Sequence, residues 1–146
     1  MWNLSKFAES LKELMIDRDL KAPALAEQIG THRINITRYL RGERAPVFSG
    51  LIKLVEYFDC SADFLLGLSE YSKEGGYLPP LDFAKRLREV MKENSVTQYA
   101  LEKKTKISGD IVYKWLNGIT KPSIENLVKL AEYIDCSVDY LLGRVR

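Results

Sequence analysis

Shifted by 76 positions without a gap, the chain lies on itself. Residues 7–67 fall on residues 83–143 and agree at 22 of the 61 aligned positions. Self-similarity at such a period means two copies of one fold, each of about 60 to 65 residues, rather than one larger domain. Agreement is strongest at the end, where LVEYFDCSADFLLG (54–67) recurs as LAEYIDCSVDYLLG (130–143). It vanishes over 26–39, none of whose 14 positions matches its counterpart in 102–115. Two copies that keep their packing residues and differ in one short segment are expected to touch something outside the fold with that segment, each in its own way. The layout expected is a first domain over 1–67, a connector over 68–80 and a second domain over 81–146.

Domains this small bury only about 60% of their unfolded surface, so each half is expected to lean on the other or on a partner. No run of about 20 apolar residues exists that could span a bilayer. At the N-terminus Leu4, Phe7, Leu11, Leu14 and Met15 recur at helical spacing among charges, which is not the pattern of a leader. A cytoplasmic, nucleoid-associated protein is therefore expected. Cys60 and Cys136 occupy one position of the repeat inside a core-forming stretch, which suits small buried apolar side chains better than a disulfide or a metal. The formal net charge of +2 is too small to require a polyanionic partner, but its distribution is uneven. Arg33, Arg38, Arg41 and Arg44 stand against the single acid Glu43 over 33–44, and a local patch matters more for phosphate binding than the total.

Each repeat reads as five short helices, and no strand period occurs. The first helix carries an apolar stripe at Phe7, Leu11, Leu14 and Met15, matched by Phe83, Leu87, Val90 and Met91. The second starts near Lys21 or Thr97, where Thr97 is a good N-cap and Pro23 falls in the first turn. After a turn at Gly30-Thr31 or Lys106-Ile107, a third helix spans about 33–40, or 109–116 with Ser108 as its cap, and stops at Gly42 or Gly118. A fourth buries Leu51, Leu54, Val55 and Phe58, and a short fifth is capped by Ser61 or Ser137. The fold class is all-α, two tandem bundles. Between them LSEYSKEGGYLPP has no helical period and reads either as a flexible spacer or, with Tyr71 and Tyr77, as a strap packed on one repeat. Fully extended, it reaches ~43 Å at ~3.3 Å per residue.

Two short helices joined by a tight turn, the second exposing polar and basic groups, describe a helix-turn-helix. On a helix beginning near Arg33, positions 33, 34, 37 and 38 share one face, opposite Ile36, Tyr39 and Leu40. An arginine bonds guanine O6 and N7 bidentately, Thr37 suits donors or acceptors, and Ile34 suits a thymine methyl. The stretches LAEQIGTHRINITRYLRGERAP (25–46) and, more weakly, TQYALEKKTKISGDIVYKWLNGITKPSIENLVKL (97–130) resemble the XRE, or Cro/cI phage-repressor-like, helix-turn-helix family. The resemblance implies that Arg33, Ile34 and Arg38 face base edges, with Thr37 beside them, while Lys21, His32, Arg41 and Arg44 approach phosphates.

The matching face of the second copy is Gly109, Asp110, Tyr113 and Lys114. Phosphates repel Asp110 unless it accepts a bond from cytosine N4, and Gly109 has no side chain to offer. Thr97, Gln98, Lys106, Ser108, Asn117 and Lys121 remain candidate phosphate contacts, with Asp110, Tyr113 and Lys114 as candidate base contacts. Either this helix reads a different sequence, or it is a packing or partner surface.

Enzyme chemistry has no support. His32 is the one histidine, no cysteine pair has metal-ligand spacing, and there is no phosphate-binding glycine loop or Ser-His-Asp set, so no catalytic residue, metal or cofactor is expected. The reading is a transcriptional regulator, repressor-like, that binds double-stranded DNA sequence-specifically as a covalent pseudo-dimer, alone or with a homodimeric or regulatory protein partner and without a membrane. The rival is a protein-interaction or antitoxin-like adaptor module with weak or no DNA binding.

Overall fold

The computed structural model describes residues 2–145, and among these residues it contains ten α-helices and no strand. They divide into two compact units, Met1–Tyr77 and Leu78–Arg146. Unit 1 holds α1 (Leu4–Asp17), α2 (Ala22–Ile29), α3 (Arg33–Leu40), α4 (Phe48–Phe58) and α5 (Ala62–Leu65). Unit 2 repeats the order with α6 (Phe83–Glu93), α7 (Gln98–Thr105), α8 (Gly109–Leu116), α9 (Ile124–Ile134) and α10 (Val138–Leu141).

The helix boundaries follow from local chemistry. Asn3, Ser61, Asp82, Thr97, Ser108, Ser123 and Ser137 each accept a backbone N–H in the first turn of the helix they precede, which satisfies a donor that has no intrahelical partner. Lys21 begins α2 without such a bond, and Pro23 in that first turn loses nothing by lacking an N–H. Asp59 and Asp135 end α4 and α9 in the left-handed region, at the same place in each repeat.

Each unit closes around one apolar core. In unit 1 Phe7, Leu11, Leu25, Ile36, Leu51, Leu54 and Phe58 are all buried to 1% exposure or less, and Phe7 packs edge-on to Tyr39 with ring centroids 5.7 Å apart. Their counterparts in unit 2 include Phe83, Leu87, Leu101, Val112, Leu127, Leu130 and Trp115. At roughly 1.5 to 3 kcal/mol for each fully buried large side chain, this shared set outweighs any single surface contact. That is why core positions stay apolar even inside the divergent stretch, where Ile36 and Tyr39 align with the buried Val112 and Trp115. The cysteines differ slightly from expectation: Cys60 is buried but Cys136 only half-buried.

The boundary between the units falls inside the proline- and glycine-containing segment. Residues before it are strapped to unit 1: the Ser61 N–H donates to Ser72 Oγ at 2.9 Å, the Gly75 N–H to the Asp59 carbonyl at 3.3 Å, and Ser72 Oγ lies 3.3 Å from the Tyr77 hydroxyl. Gly75 and Gly76 both take positive φ, 74° and 78°, which lets the strap turn back on itself. The Tyr71 side chain is mostly solvent-exposed, at 74%. Beyond Tyr77 the chain belongs to unit 2, where the Leu78 N–H donates to the Arg144 carbonyl at 2.8 Å and the Leu81 N–H to that of Leu142 at 3.0 Å.

Candidate nucleic-acid interface

The turn between α2 and α3 needs one residue at positive φ. Gly30 supplies it at 71°, and the Thr31 N–H closes onto the Ala26 carbonyl at 2.9 Å. His32 then caps α3, its Nδ1 accepting the Ile34 N–H at 3.1 Å, which leaves Nε2 to face outward as a donor. Because Ile36 and Tyr39 are buried, the other side of α3 presents Arg33, Ile34 and Arg38 to solvent, with Thr37 half-buried between them. Neither Arg33 nor Arg38 forms an ion pair among the described residues. Ile34 is 50% exposed, an apolar side chain held in water on a cationic face. The Thr37 hydroxyl donates to the Arg33 carbonyl at 3.1 Å, so toward a ligand it acts as an acceptor.

Arg44 is not free in the same way. Its Nη1 donates to Asn35 Oδ1 at 3.2 Å, and Asn35 Nδ2 donates to Thr31 Oγ1 at 2.9 Å. This relay ties the loop after α3 to the turn before it. Asn35, absent from the expected site, is the residue that places Arg44. Burial raises the Tyr39 phenol above its ordinary pKa, and nearby Arg44 pulls it the other way. Lys21 and Arg41 are exposed.

Unit 2 builds the same scaffold with different surface chemistry. Lys106 takes the left-handed turn position at φ 65°, a conformation that glycine adopts without cost. Thr97 Oγ1 accepts the Ala100 N–H at 3.1 Å and Ser108 Oγ the Ile111 N–H at 3.4 Å, so both hydroxyls serve as caps and keep their own O–H to donate. Asn117 Nδ2 donates one of its two hydrogens to the Tyr113 carbonyl at 2.8 Å, and Lys121 is exposed. On α8 the Lys114 ammonium lies 3.5 Å from the Asp110 carboxylate, so the two charges offset each other, and Tyr113 beside them is 53% exposed.

At the first residue of α8 stands a group that sequence inspection did not single out. A Cβ built on Gly109 lands on the Glu102 carboxylate of α7. Gln98 Nε2 reaches both Glu102 Oε1, at 3.5 Å, and the Gly109 carbonyl, at 3.4 Å. The only signal available beforehand was that Glu102, opposite Ala26, opens the segment where the repeats stop matching.

The two units are thus expected to contribute unequally to DNA affinity. Lys114→Ala should cost less than Arg38→Ala, and Asp110→Ala should strengthen non-specific binding modestly by removing a repulsion. Titration of one labelled duplex with each variant checks this, and equal losses from both helices would contradict it.

Among the described residues no group of His, Cys, Asp and Glu is placed to hold a metal ion, and no helix is long and apolar enough to cross a membrane. A tight α-turn-α unit whose second helix carries an outward polar face defines a helix-turn-helix DNA-binding fold, and this chain holds it twice. Residues 10–69 match the model of the Cro/C1-type HTH DNA-binding domain, and residues 87–141 match that of the helix-turn-helix family. Among curated proteins and among solved structures nothing matches the chain. It carries two tandem XRE-like helix-turn-helix domains, and its class is that of XRE-type DNA-binding regulators.

Proposed function

We propose that the protein is a repressor-like regulator that reads double-stranded DNA sequence-specifically, with α3 as its principal recognition helix. The observation that carries this reading is the α3 face, where two arginines that form no ion pair among the described residues stand beside an exposed isoleucine. Burying that face against an apolar protein surface would strand two guanidinium groups, whereas a major groove offers guanine acceptors and thymine methyls to the same three side chains. Arg33, Ile34, Thr37 and Arg38 are assigned to bases. Lys21, His32, Arg41 and Arg44 are assigned to phosphates, joined from unit 2 by Thr97, Gln98, Lys106, Ser108, Asn117 and Lys121. Asp110, Tyr113 and Lys114 form the corresponding base-facing set of α8.

Selection from a pool of random duplexes with the intact chain tests the reading directly. On the site recovered, Arg33→Ala and Arg38→Ala should each cost roughly 1 to 3 kcal/mol and relax preference at one base position. Arg44→Ala should weaken all sequences alike. Uniform losses from all three would mean that α3 does not read bases.

One chain supplies two recognition helices, so it is proposed to act as a covalent pseudo-dimer on an asymmetric operator whose half-sites lie ~34 Å apart. If that separation demands more reach than the strapped segment leaves, the bonds of Ser72 and Gly75 to unit 1 are the ones to release. Mass measurement of the complex on a defined site should find one chain per duplex. Two chains per duplex would point instead to a homodimer.

A second reading is favoured by one feature of unit 2: Tyr99, Tyr113 and Ile119 are more than half exposed. They suit a regulatory protein partner of the antitoxin or adaptor kind. Failure of any duplex to be enriched at low salt would favour it.

A further inference from the structure

The two repeats differ at the start of the recognition helix by a reciprocal exchange. In unit 1 the second helix contributes Ala26, 3% exposed, and the third begins with the long exposed Arg33. In unit 2 the aligned pair is Glu102 and Gly109, and the Glu102 carboxylate occupies the space into which a side chain at Gly109 would grow. The group presented at the first position of the recognition helix is therefore cationic and borne by α3 in one copy, but anionic and borne by α7 in the other.

We propose that Glu102 is a specificity-determining residue of the second repeat and selects cytosine at one base pair of its half-site. The inference rests on the DNA-reading function proposed above. First-turn residues of a recognition helix are the ones that contact base edges, and the carboxylate sits at that turn. It is positioned rather than loose, because Gln98 bridges it to the Gly109 carbonyl, and the partial positive charge of the α8 N-terminus favours an anion there. An ionised carboxylate only accepts hydrogen bonds. In the major groove cytosine N4 and adenine N6 both donate, but adenine places the N7 acceptor beside its donor and repels the second carboxylate oxygen. Cytosine has no such neighbour. Asp110, on the next residue of α8 and 77% exposed, adds to the same bias against phosphate and toward amino donors.

The test is selection from random duplexes with the full chain and three variants, followed by competition between duplexes that differ at the selected position. The wild type should enrich cytosine at one position of the half-site that unit 2 covers. Glu102→Ala should lose that preference by about 5- to 150-fold. Glu102→Gln keeps the volume and helix propensity, so on a folded protein the preference should move toward adenine, which pairs with an amide through N6 and N7. Gly109→Ala, whose Cβ displaces the carboxylate, should lose the cytosine preference with Glu102 still present. None of the three should alter the preferences of the first half-site. A wild type without a cytosine preference, or variants that all keep it, would overturn the proposal while leaving the DNA-binding reading in place. If Glu102 only caps α8, melting temperatures shift and base preference does not, which also overturns it. An empty wild-type selection refutes the DNA reading itself, and this inference with it.

Discussion

Raising salt from 50 to 200 mM should weaken duplex binding by about 10³ to 10⁵ if the chain makes about six to ten phosphate contacts. Each phosphate neutralised by a lysine or arginine releases condensed counterions, and that release loses its entropic advantage as bulk salt rises. With a formal net charge of only +2, the chain has little long-range field to steer it, so the dependence must come from local contacts. Arg41, Arg44, Lys21, Lys106 and Lys121 are the cations assigned to them. Replacing one of these by alanine should lower the slope of log affinity against log salt by about one. Fluorescence anisotropy of a labelled operator across a salt series measures it, and a flat series would exclude phosphate-driven binding.

Asp139→Ala should destabilise unit 2 by about 3 to 5 kcal/mol and leave unit 1 unaffected. The Asp139 carboxylate accepts from Arg144 Nη1 at 2.6 Å, and both side chains are almost fully buried, at 5% and 2% exposure. Removing the acid leaves a guanidinium buried without its counter-charge, which costs far more than losing a surface ion pair. In unit 1 the aligned pair is Asp63 and Leu68, and Leu68 is an apolar residue, 42% exposed, so the two aligned residues cannot form such a bridge with each other. The double variant Asp139→Ala with Arg144→Met should recover most of the loss, because it removes both charges together. Each unit has one tryptophan, Trp2 and Trp115, so urea unfolding followed by fluorescence in a Trp2→Phe background reports on unit 2 alone. A loss below about 1 kcal/mol would show that water reaches the pair.

Much of the fold was legible in the amino-acid sequence. The 76-residue period, the apolar stripes and the caps at Thr97, Ser108, Ser61 and Ser137 locate the helices, because helix periodicity and N-capping are local properties of the chain. The face Arg33, Ile34, Thr37 and Arg38 was legible for the same reason: burying Ile36 and Tyr39 turns Arg33, Ile34 and Arg38 outward, with Thr37 half-buried among them. Asn35 was missed because its role is to hold Arg44, nine residues away across a loop, and no spacing rule encodes that bond.

The sequence by itself determined that there are two helical copies, where the apolar stripes of their longer helices lie, and where the copies diverge. Only the tertiary structure decided what the divergence does. Glu102 and Gly109 are seven residues apart on different helices, and nothing in their order says that one carboxylate fills the place of the other's missing side chain. Arg144 looks like a solvated basic residue, yet it is buried against Asp139. Residues 68–77 have the composition of a loose spacer, yet they are strapped to unit 1 through Ser72 and Gly75. In all three cases the controlling quantity is proximity between groups that no helical or strand period relates. Such proximity exists only once the core has set the distances between elements.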